Sequence, residues 1–246
     1  MPLPVAHSMM GYVLSDVMKV RLAQKTWRNV LIFAVLANLP DIDFLPGFLA
    51  GQPNSFHHSF VHSLGFAIFV GLVGGLIYYW RQRRNAAAVA EQQKTTPGFW
   101  PYMVAISVAV FSHCVLDMFT VDGSEPYGMP TLWPLDTRYY DVADQWDVFA
   151  PIEKSDDSAT FFQSLLQWHN FKVALREFLI MAAMIGLLNL IKRWRMSSGM
   201  KSSVGIEKTQ VAKLGLLEVS PLSPDLAARR SLNSLVEAAE QDEPDK

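Results

Sequence analysis

Cysteine is nearly absent. Cys114 is the only one, so no internal disulfide can staple the chain, and the redox compartment leaves no mark on it. Charge is missing over long stretches. No Asp, Glu, Lys or Arg occurs from Phe44 to Trp80, from Thr95 to Leu116, or from Phe178 to Ile191. With 18% of residues charged, a soluble chain rarely leaves such gaps. The first two reach the roughly 20 residues that a membrane span needs. The third reaches it when its flanking residues snorkel. There is no excess of positive charge either. The formal net charge is −2, so nucleic acid is not an expected partner. The N-terminus lacks a basic segment followed by an apolar run. Membrane insertion is therefore expected to use the internal spans.

What is present reads as an all-α, polytopic membrane helix bundle of about five helices with a disordered cytoplasmic tail. The periodicity predicts helices over Pro4–Val20, Trp27–Leu39, Ser59–Trp80, Phe99–Thr120 and Phe171–Trp194. The second stops at Pro40. The third carries Gly71, Gly74 and Gly75 in its middle, as close-packed membrane helices do. The last three are expected to span. The first two are short, and are expected to insert partly or to pack on the bundle. Residues 1–196 form the membrane domain and 197–246 the polar tail. Within the tail, Ser223-Pro224 can open a short helix with Leu226, Leu232, Leu235 and Val236 on one stripe.

Orientation follows from the basic residues. Lys19, Arg21, Lys25 and Arg28 lie between the first two segments. Arg81, Arg83 and Arg84 follow the third, and Lys192, Arg193 and Arg195 follow the fifth. The positive-inside rule places all three groups in the cytoplasm, with the N-terminus outside and the C-terminus inside. The segment from Val121 to Asn170 then lies outside, with Arg138 and Lys154 its only cations. Trp133, Trp146 and Trp168 suit an interfacial belt.

The six histidines did not enter that argument, yet all fall at the outer face. They are His7, His57, His58, His62, His113 and His169. Asp41 and Asp43 follow the proline that ends the second segment, and Asp117 closes the fourth. His58 and His62 are four apart, so on a helix they share a face, and His113 and Asp117 do the same. A carboxylate at the end of an apolar run needs a partner, and a metal ion serves. Mixed imidazole and carboxylate donors suit zinc, iron or manganese. Each signal alone is ordinary: a single interfacial histidine is usually structural, and Asp-x-Asp is usually a solvated cap. Their convergence on one face points to a metal site. Ser8, Ser59, Ser63 and Ser112 each neighbour a histidine, and either orient ligands or let helices pack closely. Cys114 points about 100° away from His113 and reads as packing. Arg176 and Glu177 either pair with each other, close the site, or meet an anionic substrate.

Five elements in order carry a resemblance: Ala6-His7-Ser8; Asn38-Leu39-Pro40-Asp41-Ile42-Asp43; His57-His58-Ser59 with His62-Ser63; Ser112-His113 with Leu116-Asp117; and Gly128 with Leu132-Trp133-Pro134-Leu135 and Arg138. Together they resemble the bacterial family of inner-membrane metal-dependent hydrolases, the LexA-binding, YdjM-like family, from about residue 6 to residue 147. The stretch Thr120–Gly128 is longer than that pattern expects. The resemblance implies a membrane-bound hydrolase related to zinc-dependent phospholipase C. It implies His7, Asp41, His58, His62, His113 and Asp117 as metal ligands, with Asp43 as an addition.

The leading expectation is hydrolysis assisted by a divalent metal, zinc above all, at the outer membrane face. Asp43 is the general-base candidate. Arg138 and Arg176 are candidates to hold an anionic group. Membrane lipids surround such a site, and a lipid or phosphoester substrate fits it. The alternative is a non-catalytic membrane protein whose His/Asp cluster, with or without metal, is structural and whose tail binds a cytoplasmic protein. A transporter is disfavoured, because polar residues occur near one face only.

Overall fold

A computed structural model describes residues 2–88, 98–120, 127–142 and 148–213, with side chains undescribed at 85–88 and 198–213. Among them are seven α-helices and no strand: α1 (Pro4–Val17), α2 (Thr26–Ala37), α3 (Phe44–Leu49), α4 (Leu64–Ala88), α5 (Phe99–Asp117), α6 (Phe161–Leu165) and α7 (Trp168–Lys213). Two isolated bridges, Thr120 with Phe149 and Met129 with Tyr140, tie the segments after α5. The chain divides into two compact units, Met1–Gly186 and Leu187–Lys246.

Three helical stretches are long and apolar enough to cross a membrane: Leu64–Arg84, Phe99–Asp117 and Trp168–Ser197. Phe69, Ile77, Phe178 and Leu179 on them face outward. In water such apolar surface would be untenable, whereas in lipid it is the required exterior. At 14 residues, α1 measures about 21 Å, short of the hydrocarbon thickness.

The second predicted helix does not simply stop at Pro40. Proline removes the amide that would continue the ladder. The chain tightens into a 3-10 turn over Leu39–Asp43, then resumes as α3. The two arms, bent by 53°, together pass as one broken or re-entrant span. The third predicted helix begins later than Ser59. It starts at Leu64 because Ser63 caps it, its hydroxyl accepting from the Phe66 amide at 3.2 Å. The Leu64 and Gly65 amides meanwhile donate to the carbonyls of Thr131 and Trp133. The fifth helix extends past Trp194 to Lys213, into what reads as polar tail. The Ser223-Pro224 helix, Trp146 and residues 121–126 lie outside the described residues.

α4 and α5 run antiparallel in close contact. A Cβ on Gly71 would meet the Met103 carbonyl at 2.7 Å, and one on Gly75 the Met103 Cα at 2.9 Å. Only glycine lets the two backbones approach so nearly. α1 and α2 are joined the same way, through Gly11 against Ala34. Their turn is closed by Asn29, which accepts from the Leu22 amide. Two antiparallel pairs therefore bring the start of α1, the end of α2, the start of α4 and the end of α5 to one end of the bundle. The basic groups at Lys19–Arg28 and Arg81–Arg84 sit at the other. Leu64 and Arg81 are about 26 Å apart along α4.

A candidate metal centre

The helix break at Pro40 does more than end α2. In an unbroken helix the Ala37 carbonyl would accept from the Asp41 amide; here that amide turns to Asn38. The freed Ala37 carbonyl accepts instead from His113 Nδ1 at 2.8 Å, across the α2–α5 contact. This bond puts a proton on Nδ1, so that in the neutral ring Nε2 offers a lone pair. That lone pair faces Asp117 Oδ2 at 3.2 Å and Asp41 Oδ1 at 3.3 Å. Two carboxylate oxygens around one ring nitrogen call for positive charge among them, supplied either by a proton on Nε2 or by a metal ion.

The rest of the cluster repeats the pattern. His7 Nε2 lies 3.3 Å from Asp117 Oδ1, and its ring stacks on His113 at 3.9 Å. His62 Nε2 lies 3.7 Å from Asp117 Oδ2 and 4.0 Å from Asp41 Oδ1. His7, His62 and His113 are fully buried, and Asp117 nearly so. Buried polar atoms are rarely left unmet, yet His7 Nε2, His62 Nε2, His113 Nε2, Asp41 Oδ1 and both Asp117 oxygens have no hydrogen-bond partner among the described residues. The spacing explains this. Around a tetrahedral zinc with bonds of about 2.0–2.1 Å, neighbouring ligand atoms stand roughly 3.3 Å apart. A proton on one nitrogen serves one contact, whereas a metal ion serves all of them. Two donor sets, His7 with Asp41 and His113, and His62 with His113 and Asp117, can each hold an ion, with ligand atoms within 4.8 Å of one another.

Asp43 is buried beside this group. Its Oδ1 lies 3.3 Å from His57 Nδ1, and its Oδ2 lies 3.1 Å from His62 Nδ1 and 3.5 Å from Ser59 Oγ. His57, His58 and His62 form a third donor set. They lie on an irregular segment rather than a helix, so the expected shared helical face of His58 and His62 does not exist. The loop brings their rings within 5.3 Å by another route, with His58 at φ 60°. Burial pushes the His57 and His62 imidazoles well below their ordinary value, with neighbouring histidines adding to the effect. Both are therefore neutral, ligand-competent bases at pH 7.

Five of the six histidines thus form one cluster. His169 stands apart, exposed, with Nε2 3.0 Å from the Pro151 carbonyl. Arg138 is exposed and bound to Asp136 through Nε and Nη2, and this pairing holds the Asp136 carboxyl well below the usual range. Arg176 lies exposed on α7. Its neighbour Glu177 is engaged elsewhere. The Glu177 carboxylate accepts from the Leu3 and Ala6 amides at 2.6 and 3.3 Å, capping α1 and setting the height of His7. Among the serines, Ser59 touches a cluster carboxylate. Ser8 accepts from the Asn38 side chain, while Ser63 and Ser112 bond to backbone carbonyls one turn back. Cys114 is buried packing. The sequence left His57 outside the ligand set, offered Glu177 roles other than capping α1, and gave no sign of the Ala37 carbonyl. For His57 a signal existed in its adjacency to His58; the other two are long-range contacts with no local mark.

A family model described as YdjM inner membrane protein matches residues 1–195. The chain belongs to the YdjM inner membrane protein family. The match covers every residue of the cluster, so the cluster belongs to an inner membrane protein. No curated protein and no solved structure matches the chain.

Proposed function

We propose that this protein is a zinc-dependent hydrolase acting at the outer face of the inner membrane on an anionic lipid or related phosphoester. The observation that carries the reading is His113 Nε2, locked by Ala37 and aimed at two buried carboxylates. His7, Asp41, His113 and Asp117 would hold the ion, with His62 completing the set. A cation there supplies two things: polarisation of a phosphoryl or acyl oxygen and acidification of a water.

A groove supports the lipid assignment. A cavity of about 400 Å³ lined by Ile42, Phe44, Leu45, Phe48, Phe161 and Leu165 opens beside Asp41. Its walls suit an acyl chain, and Asp41 of the ligand set is part of its lining. Lys154 also lines it, with Nζ 5.0 Å from the Phe44 ring centre. Lys154 is held there by Asn170, whose amide brackets Glu153 through bonds of 2.9 and 2.6 Å. In this reading Lys154 binds the anionic headgroup and the groove orients the ester toward Asp41. The basic groups at the opposite end of the helices support a cluster outside and a C-terminus inside.

The test is hydrolysis by detergent-purified protein of chromogenic phosphodiesters, carboxylic esters and a fluorescent anionic phospholipid, with and without chelator. Turnover that chelator abolishes and zinc restores is the expected result. Bound metal with no turnover on any substrate would instead favour a structural cluster that staples four chain segments.

A further inference from the structure

We propose that the protein holds a second divalent cation, bound by His57, His58 and Asp43, with His62 standing between it and the first. The inference rests on the metal-centre reading above and extends it.

Eight side chains crowd this end of the bundle: His7, Asp41, Asp43, His57, His58, His62, His113 and Asp117. One zinc takes four ligands, or five at most. The donor sets do not share a single centre either. The two sets that contain His113 overlap there, whereas His57, His58 and His62 meet the others only through His62. The two nitrogens of His62 face different ways, Nε2 toward Asp117 and Asp41 and Nδ1 toward Asp43. Asp43 lies 3.3 Å from His57 Nδ1, a hydrogen bond in the absence of metal, and 3.1 Å from His62 Nδ1, distances that neighbouring ligands also keep. His57 Nε2 and His62 Nδ1 are buried with no hydrogen-bond partner among the described residues.

Strain agrees with the count. His58 holds a left-handed backbone, which a non-glycine residue keeps only where surrounding structure enforces it. That conformation brings its ring within 4.1 Å of His57. The assignment makes Asp43 a ligand rather than the general base. Paired cations suit displacement at phosphorus, in keeping with a phosphoester substrate.

The experiment is a count of ions. The full chain, purified in detergent, is loaded with zinc, freed of excess, and measured by mass spectrometry for metal per chain. Two ions are expected, falling to one in the double variant His57→Ala, His58→Ala and, separately, in Asp43→Asn. If the double variant does not stay monodisperse, Asp43→Asn and the wild-type count decide. One ion per chain in the wild type, or two that survive both changes, overturns the second site and leaves the first standing. No bound ion overturns both.

Discussion

Removing the metal should destabilise the whole bundle, by an amount the cluster geometry sets. Asp41 and Asp117 present oxygens at 3.3 and 3.2 Å to one imidazole nitrogen, which has at most one proton to share between them. Stripped of its cation, the cluster keeps uncompensated buried charge, and breaking a buried pair in this way costs about 3–5 kcal/mol. For a chain of this size each kcal/mol moves the unfolding midpoint by about 2–4 °C, so a fall of roughly 6–20 °C is expected. The assay is a thermal ramp in detergent, followed by tryptophan fluorescence, on protein as purified, after chelator, and after zinc is returned. Because the contacts act as one unit, the chelator effect should shrink toward zero in Asp117→Ala. Identical midpoints in all three wild-type samples would refute the reasoning. The cluster would then be satisfied by protons alone.

Other outcomes follow from single contacts. Gly75→Leu should force α4 off Met103 at a cost of about 1–3 kcal/mol, lowering the midpoint by several degrees while metal per folded chain stays unchanged. Glu177→Ala removes the cap on α1 and should cost about 0.5–2 kcal/mol and weaken zinc binding through His7; Glu177→Gln, which keeps an acceptor, should recover most of both in the same melt and in competition with a zinc dye. In lipid hydrolysis Lys154→Ala should raise KM for an anionic substrate, whereas Arg138→Ala, removing a side chain already bound to Asp136, should leave it unchanged. Equal effects would remove Lys154 from headgroup binding. A thiol probe applied to intact cells should label Ser124→Cys from outside, and Ser198→Cys only after permeabilisation.

The sequence by itself determined the membrane class, the three spans and the end of the bundle where chemistry collects. These are local properties. Charge-free runs record the solvent a segment meets, and basic residues record the side it stays on. The pairing of His113 with Asp117 was equally legible, because both lie on one helix four residues apart. His58 and His62 were brought to the right neighbourhood on the wrong premise, since their segment is a loop whose boundary is set by Thr131 and Trp133 far along the chain. Only the tertiary structure decided which atoms face which. The Ala37 carbonyl, freed by a proline, selects the His113 tautomer; Glu177 sets the height of α1; and Asp43 joins His57 to His62. Each is a hydrogen bond or a close contact between residues distant in sequence, and its partner is fixed by how helices pack rather than by any periodicity a single segment carries.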